Sequence, residues 1–338
     1  MKSSKLSSSL PIGAVIGLVG GLVLTMVFVV ITFEGSAIPE KPNHVPVAVV
    51  GAPAAVSHLA AGLARGGAFK AVNVPNEAAA VDLMRHRNAD AIVNLNTHQL
   101  QTSSAASIQT GPVLQTALAS QHLQSRDIVP LAKGDPTGLG LMFLALAAVI
   151  TGIPGGVALV LLSKRRRPGS LAGAGGQSLL IVGYSGLCGL VIAALTAAIV
   201  GYAGTQFLIV WGWESLLIAA SMATAVALTA AIGLAGAVLA ALVMLFFGPP
   251  SAPIPSPWNW QTTGIRHLGP FAPFGSMVNG LRDQLFFPAA SQAQNLLVLF
   301  GWLVVPVLLL GAMGLWSQRS SATRVESLAG RRTLEPAA

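Results

Sequence analysis

The chain is poor in the residues that most chemistry requires. It has one cysteine, two tyrosines and 11 acidic residues in 338 positions, and only 9% of it is charged. A lone Cys188 excludes an intrachain disulfide framework, and its place inside an apolar run makes the thiol a small packing residue. No Gly-Lys dipeptide occurs, so the chain carries no Walker-type phosphate loop. HExxH, CxxC and GxSxG patterns are absent, and no membrane segment holds paired carboxylates. The sequence therefore points away from an enzyme, and neither a cofactor nor a metal ion is expected. The net charge of +8 comes without a basic face interleaved with aromatic residues, so nucleic acid is not an expected partner.

What the chain has in excess is apolar sequence: 53% hydrophobic residues and a mean hydropathy of +0.71. A helix needs roughly 20 apolar residues to cross a bilayer core of about 30 Å. Six segments approach that length: Pro11–Phe33, Thr137–Leu162, Gln177–Ala203, Trp213–Ile232, Gly233–Phe247 and Asn295–Trp316. The fourth and fifth are expected to form a hairpin turning near Gly233 to Gly236; one tilted helix there would reduce the count to five. Lys2 and Lys5 before the first run, and Gly35-Ser36-Ala37 after it, are also compatible with a signal peptide. The run is longer than the ~7–15 residues of a signal core, so an uncleaved helix is expected. Its Gly13, Gly17 and Gly21 share one face, a surface for close helix packing.

Between Glu34 and Pro136 the character changes to seven Lys or Arg, seven Asp or Glu and five of the six histidines. Strands at Val45–Val50, Ala68–Val74 and Ala89–Leu95 alternate with helices at Ala54–Arg65 and Glu77–Arg87, the second capped by Asn76. Gln99–Ser104 adds a hairpin strand and Gly111–Leu123 a last helix, giving a small α/β domain. The histidines have no metal-ligand spacing and are read as surface or packing residues.

Loop charges set the expected orientation, because short cytoplasmic loops are enriched in Lys and Arg. Lys164, Arg165, Arg166 and Arg167 form the decisive cluster, either a partner contact or a topology signal. Placing it inside puts both termini in the cytoplasm and the α/β domain outside. The expected fold is a polytopic α-helical protein of the cell (plasma) membrane, with about six transmembrane helices. Residues 1–36 are the cytoplasmic N-terminus and helix 1, 37–136 the extracytoplasmic α/β domain, 137–316 helices 2–6, and 317–338 a basic cytoplasmic tail. An outer loop at 248–294 has an extended proline-rich lead-in, then Trp258 and Trp260, expected at the membrane interface. Within it, Gly275–Phe287 is expected to lie on or dip into the outer leaflet, with Val278, Leu281 and Leu285 on one side. Arg282 and Asp283, as sequence neighbours, are not expected to face each other. Glu214, after Trp211-Gly212-Trp213, is expected to stay wet at the outer interface. Glu214, Trp258, Trp260, Arg282 and Asp283 are thus the candidates for an outer gate or interface. The glycine-rich run 172–176 reads as a linker in the inner loop.

This layout resembles the type 2 ATP-binding-cassette permeases, in particular the YhgE/Pip (phage infection protein) family. The residues that carry the resemblance are Val45-Pro-Val-Ala-Val-Val50, Asp127-Ile-Val-Pro-Leu131, Gly134-Asp-Pro-Thr-Gly-Leu-Gly140, Phe247-Gly-Pro-Pro-Ser251 and Leu268-Gly-Pro-Phe-Ala-Pro-Phe-Gly275. It implies a permease subunit that works as a homodimer with a separate cytoplasmic ATPase and exports a hydrophobic or lipid-like molecule. The chain departs from the pattern in its featureless inner loop, Ser163–Gln177, where an ATPase-docking helix would stand. The alternative is a membrane-anchored binding or assembly protein of the cell envelope that acts through its outer domain. In either case membrane lipid is a partner.

Overall fold

The computed structural model describes residues 42–163, 171–254 and 256–332, together with Val23, Met26, Val27 and Val30, which are helical. For 171–174 and 316–332 the backbone alone is described. Gly13, Gly17, Gly21 and Lys164 to Arg167 lie outside the described residues.

The α/β domain is a five-stranded sheet in the order β2-β1-β3-β4-β5. Its strands are β1 (Val45–Val50), β2 (Phe69–Asn73), β3 (Ala91–Asn94), β4 (Gln99–Thr102) and β5 (Gln124–Asp127). β1 pairs in parallel with β2 and β3, β4 returns antiparallel to β3, and β5 runs parallel to β4. Side chains alternate across a strand, so β1 sends Val45, Val47 and Val49 to one core and Ala48 and Val50 to the other. The first core is covered by α1 (Pro53–Ala64) through Val56, Leu59 and Leu63, and by α3 (Thr110–Ala117) through Leu114. The second is covered by α2 (Glu77–Arg85) through Ala80 and Met84. The Asn76 side chain accepts from the Ala79 backbone N–H at 2.9 Å, the expected cap. The last helix is shorter than its predicted span, and β5 follows as an edge strand of four exposed residues, Gln124 to Asp127. Such a strand carries no apolar signal, because only its backbone pairs with the sheet.

The rest of the described chain is helical. Four helices hold stretches long and apolar enough to cross a membrane: α4 (Leu139–Ser163), α5 (Leu171–Val200, from Gly175), α6 (Thr205–Ile232) and α11 (Ala293–Arg332, as far as Leu315). α7 (Leu234–Ala241) continues through a π-helical turn, Leu242–Phe246, and is apolar but shorter. The predicted linker at 172–176 is instead part of α5. Among apolar segments a helix satisfies every backbone group, which outweighs the cost of about 1 kcal/mol per glycine relative to alanine.

α6 is the axis of the bundle: 67% of its apolar stretch is buried, against 33%, 28% and 11% for α4, α5 and α11. Small residues let backbones meet there. A Cβ on Gly152 of α4 would stand 2.7 Å from the Ile218 carbonyl oxygen, and one on Gly156 2.6 Å from that of Met222. From the other side, Gly189 of α5 lies against Ser215. The hairpin falls where the sequence placed it. Gly233, at φ +68°, ends α6, and Gly236 packs on the Leu228 carbonyl, so α7 returns along α6.

The predicted outer loop departs most from expectation. After α8 (Gly248–Ser251) come a 3-10 turn at Trp258–Trp260, α9 (Thr263–Leu268) and α10 (Pro273–Phe286). α10 is not an interfacial helix. Its Phe274, Met277, Val278 and Leu281 are wholly buried in the same core as Leu141, Trp213 and Leu299 of α4, α6 and α11. The apolar stripe read from the sequence is real, but protein covers it rather than lipid.

Candidate functional site

α10 begins at Pro273, after the extended Ala272, and presents opposite faces to the two halves of the molecule. Toward the bundle, Gly280 lies so close to the Trp213 ring that no side chain fits, and the Trp213 indole N–H donates to Gln284 Oε1 at 2.6 Å. Toward the α/β domain, the Arg282 guanidinium donates to the carbonyls of Pro253 at 3.0 Å and Ala106 at 3.4 Å, and to Asn279 Oδ1 at 2.8 Å. Asn279 donates to Asp283 Oδ2 at 3.0 Å and lies 3.4 Å from Asn295 Oδ1 at the start of α11. One polar cluster thus ties the sheet domain, the proline-rich lead-in, α10 and α11.

The structure adds Arg87, which sequence reasoning missed. Its Nε stands 3.2 Å from Asp283 Oδ1, and its guanidinium lies over the Phe287 ring, 4.9 Å from the centroid. Arg87 follows α2 at φ +61°, a left-handed position where glycine is the usual residue. Its N–H donates to the Met84 carbonyl and that of Asn88 to Leu83, closing the helix end. The only sequence signal was a helix end without glycine. Arg282 and Asp283 do approach, with Arg282 Nε 3.9 Å from Asp283 Oδ1, contrary to expectation. Burial, with Arg87 nearby, lowers the Arg282 pKa to about 9, while Asp283 and Asp90 act in the opposite direction.

One of the two tryptophans of the lead-in also leaves its predicted interface. Trp260 sits in the first core of the sheet domain with Val45 and Leu118, and Phe287 and Ala290 fill the second. The loop at 248–294 therefore clasps the domain on both faces, aided by a bond from the Asn43 N–H to the Asn259 carbonyl at 3.0 Å. Trp258 donates to the Ser251 carbonyl at 2.8 Å and packs on Gly269.

Glu214 is not wet. α6 starts at Thr205, eight residues before the predicted Trp213, so Glu214 lies inside the helix and is 0% exposed, with no hydrogen-bond partner on either carboxyl oxygen. It makes no hydrogen bond to the Arg282 cluster.

A groove of about 610 Å³ opens on the side of the bundle between the α6–α7 hairpin and α11. Leu228, Leu239 and Val243 form one wall, Gly301 and Val305 the other, and Phe271 stands at the rim. Pro306 in α11 removes the N–H that would bond to the Trp302 carbonyl, and the Thr224 hydroxyl, which donates to Ala220, lies 3.5 Å from that oxygen. The Trp302 indole N–H donates to the Phe271 carbonyl at 3.1 Å, fastening the rim to the wall.

No family model matches the chain, and no curated protein or solved structure matches it either.

Proposed function

We propose that this chain is a permease-like subunit that moves a hydrophobic or lipid-like molecule through a membrane, with energy from a separate cytoplasmic ATPase. The observation that carries the reading is the lateral groove of about 610 Å³. Its lining is apolar, it opens on the face that lipid would cover, and its rim belongs to the loop that clasps the outer domain. An acyl chain fits such a surface, and a movement of the domain would reach it through α10.

In this reading a helix at Pro11–Phe33 is the first span, α4, α5 and α6 follow, α7 is a short fifth span and α11 the sixth. The basic segments stand in the cytoplasm and the α/β domain outside, in the plasma membrane. α11, at 40 residues, is about 60 Å long, twice the bilayer core, so its last turns with Arg319, Arg324, Arg331 and Arg332 extend into the cytoplasm. They are the place where an ATPase would dock. The resemblance to the YhgE/Pip family of type 2 permeases and assembly as a homodimer belong to the same proposal.

The test uses Gly301, where a Cβ meets nothing within 4 Å. Gly301→Phe should fill the groove, leave the protein folded and displace lipid that co-purifies with the wild type. It should also stop movement of a fluorescent phospholipid in vesicles holding the protein and its co-purifying ATPase. Unchanged lipid content and unchanged movement would remove the groove from the mechanism. The second reading, an anchored binding or assembly protein, is favoured by the clasp itself, since Trp260 and Phe287 mount the outer domain rigidly. Recovery of the chain with envelope proteins and no ATPase would select it.

A further inference from the structure

Glu214 is the one ionisable residue that the described helices keep wholly buried at membrane depth, and its surroundings give it no counter-charge. It lies nine residues, about 14 Å, along α6 from Thr205. On α6 it shares a stripe with Ile218 and Ser221, the residues that pack on Gly152 of α4. The neighbouring Ser215 meets Gly189 of α5. Hydroxyls of Ser215 and Ser221, with Ser185 of α5, are likewise buried without partners.

The elements packed against α6 supply no cation. Described α4, α7 and α11 as far as Leu315 contain no titratable side chain, and α5 offers Tyr184 and Cys188. The Tyr184 hydroxyl donates to the Thr151 carbonyl at 3.1 Å. On α10, Arg282 and Asp283 are engaged with Arg87, Asn279, Pro253 and Ala106. Asp135 and Tyr202 meet at the outer ends of α4 and α5, where Asp135 accepts from the Gly140 N–H at 2.9 Å. A metal ion would need several converging oxygens, yet Ser215 faces α5 and Ser221 faces α4, and no metal-type cluster exists among the described residues. A proton needs one carboxyl oxygen and no ligand shell.

We propose that Glu214 is a proton-binding site whose occupancy controls how closely α4 and α5 pack on α6. The protonated carboxyl is compatible with backbones in contact at Gly152 and Gly189. Loss of the proton leaves a charge with no partner in an apolar bundle, an unfavourable state that separation of the helices and entry of water relieve. The inference needs only that the bundle lies in a bilayer and does not rest on the permease reading.

The test treats the full-length protein in vesicles with N,N′-dicyclohexylcarbodiimide, which adds to a protonated carboxyl in an apolar setting. The carboxyl oxygen bonds to the carbodiimide carbon and the proton passes to nitrogen. Peptide mass spectrometry reads the modified fraction from pH 6 to pH 9. Glu214 should be modified at neutral pH, where Glu77 and Asp82 of the outer domain are not, and the modification should fall at the alkaline end. The single Cys188, partly buried against the bundle core, reports the packing. Its reaction with a maleimide should rise several-fold more with pH in the wild type than in Glu214→Gln, which carries the same thiol. No modification at Glu214 overturns the proposal, as does modification that stays constant to pH 9 beside identical Cys188 profiles, since that describes a fixed structural acid. If Glu214→Gln does not fold, the wild-type pH profile alone decides between these outcomes.

Discussion

The sheet domain and the helix bundle exclude solvent by opposite means. In the domain, large aliphatic side chains alternate across β1 and β3 and interlock with helices on both faces. In the bundle, glycines bring backbones together, and large side chains such as Leu179, Leu187, Leu195 and Leu308 point outward. The domain thus depends on volume it contains and the bundle on volume it lacks. A membrane removes the incentive to bury leucine, because lipid is as apolar as the side chain, and leaves close packing as the source of association. The two tolerate opposite errors.

The largest effect is expected where the halves meet. Phe287 is 1% exposed and belongs to the sheet domain's core although it follows α10 in sequence. Phe287→Ala should cost about 3–5 kcal/mol, the usual range for a buried phenylalanine. Limited proteolysis should then cut the domain in the intact protein while α4 to α6 stay protected. Equal protection of the domain in variant and wild type would show that the clasp contributes nothing to it. Next comes the bundle's own weakness. Gly152→Leu forces a side chain into the Ile218 carbonyl and should cost about 1–3 kcal/mol or more. It should lower the thermal transition of the detergent-purified protein, whereas the same change at Gly183, which has nothing within 4 Å, should leave it in place.

The same contrast decides what could be read from the sequence. β1, β3 and the α2 cap were legible because alternation and capping are local rules, and the long helices because length and hydropathy are. The turn at Gly233 was legible for the same reason. β5 was not, since Gln124-Ser125-Arg126-Asp127 pairs only through its backbone. Trp260 and α10 were read as membrane-interface groups because amphipathic sequence does not state whether lipid or protein covers it. Of the candidate site, Arg282 and Asp283 were named, but Arg87 lies 196 positions from Asp283 and only the fold brings them together. Glu214 was placed at the surface because a predicted helix start fell eight residues late. In a membrane protein that error moves a carboxylate from water to the bundle interior.

The smallest effect on stability belongs to Arg87, and there it separates coupling from folding. Arg87 holds a left-handed backbone that costs about 1–2 kcal/mol for a residue with a side chain. Glycine would remove that cost and, with it, the ion pair to Asp283 and the contact with Phe287. The pair is largely buried, with side chains 17% and 7% exposed, and breaking a buried pair costs about 3–5 kcal/mol, reduced here because Arg282 and Asn279 still hold Asp283, so relief of strain offsets only part of the loss. Arg87→Gly should therefore lower the thermal transition modestly. Arg87→Ala keeps the strained backbone, loses both contacts and should be less stable than the glycine variant. If the strain is held in order to aim the guanidinium at α10, both variants should lose the response of the groove to the sheet domain. A fluorophore at Val305→Cys in a Cys188→Ala background would read that response when an antibody fragment binds the domain. A response unchanged in Arg87→Gly would mean that the two halves communicate through the aromatic clasp alone.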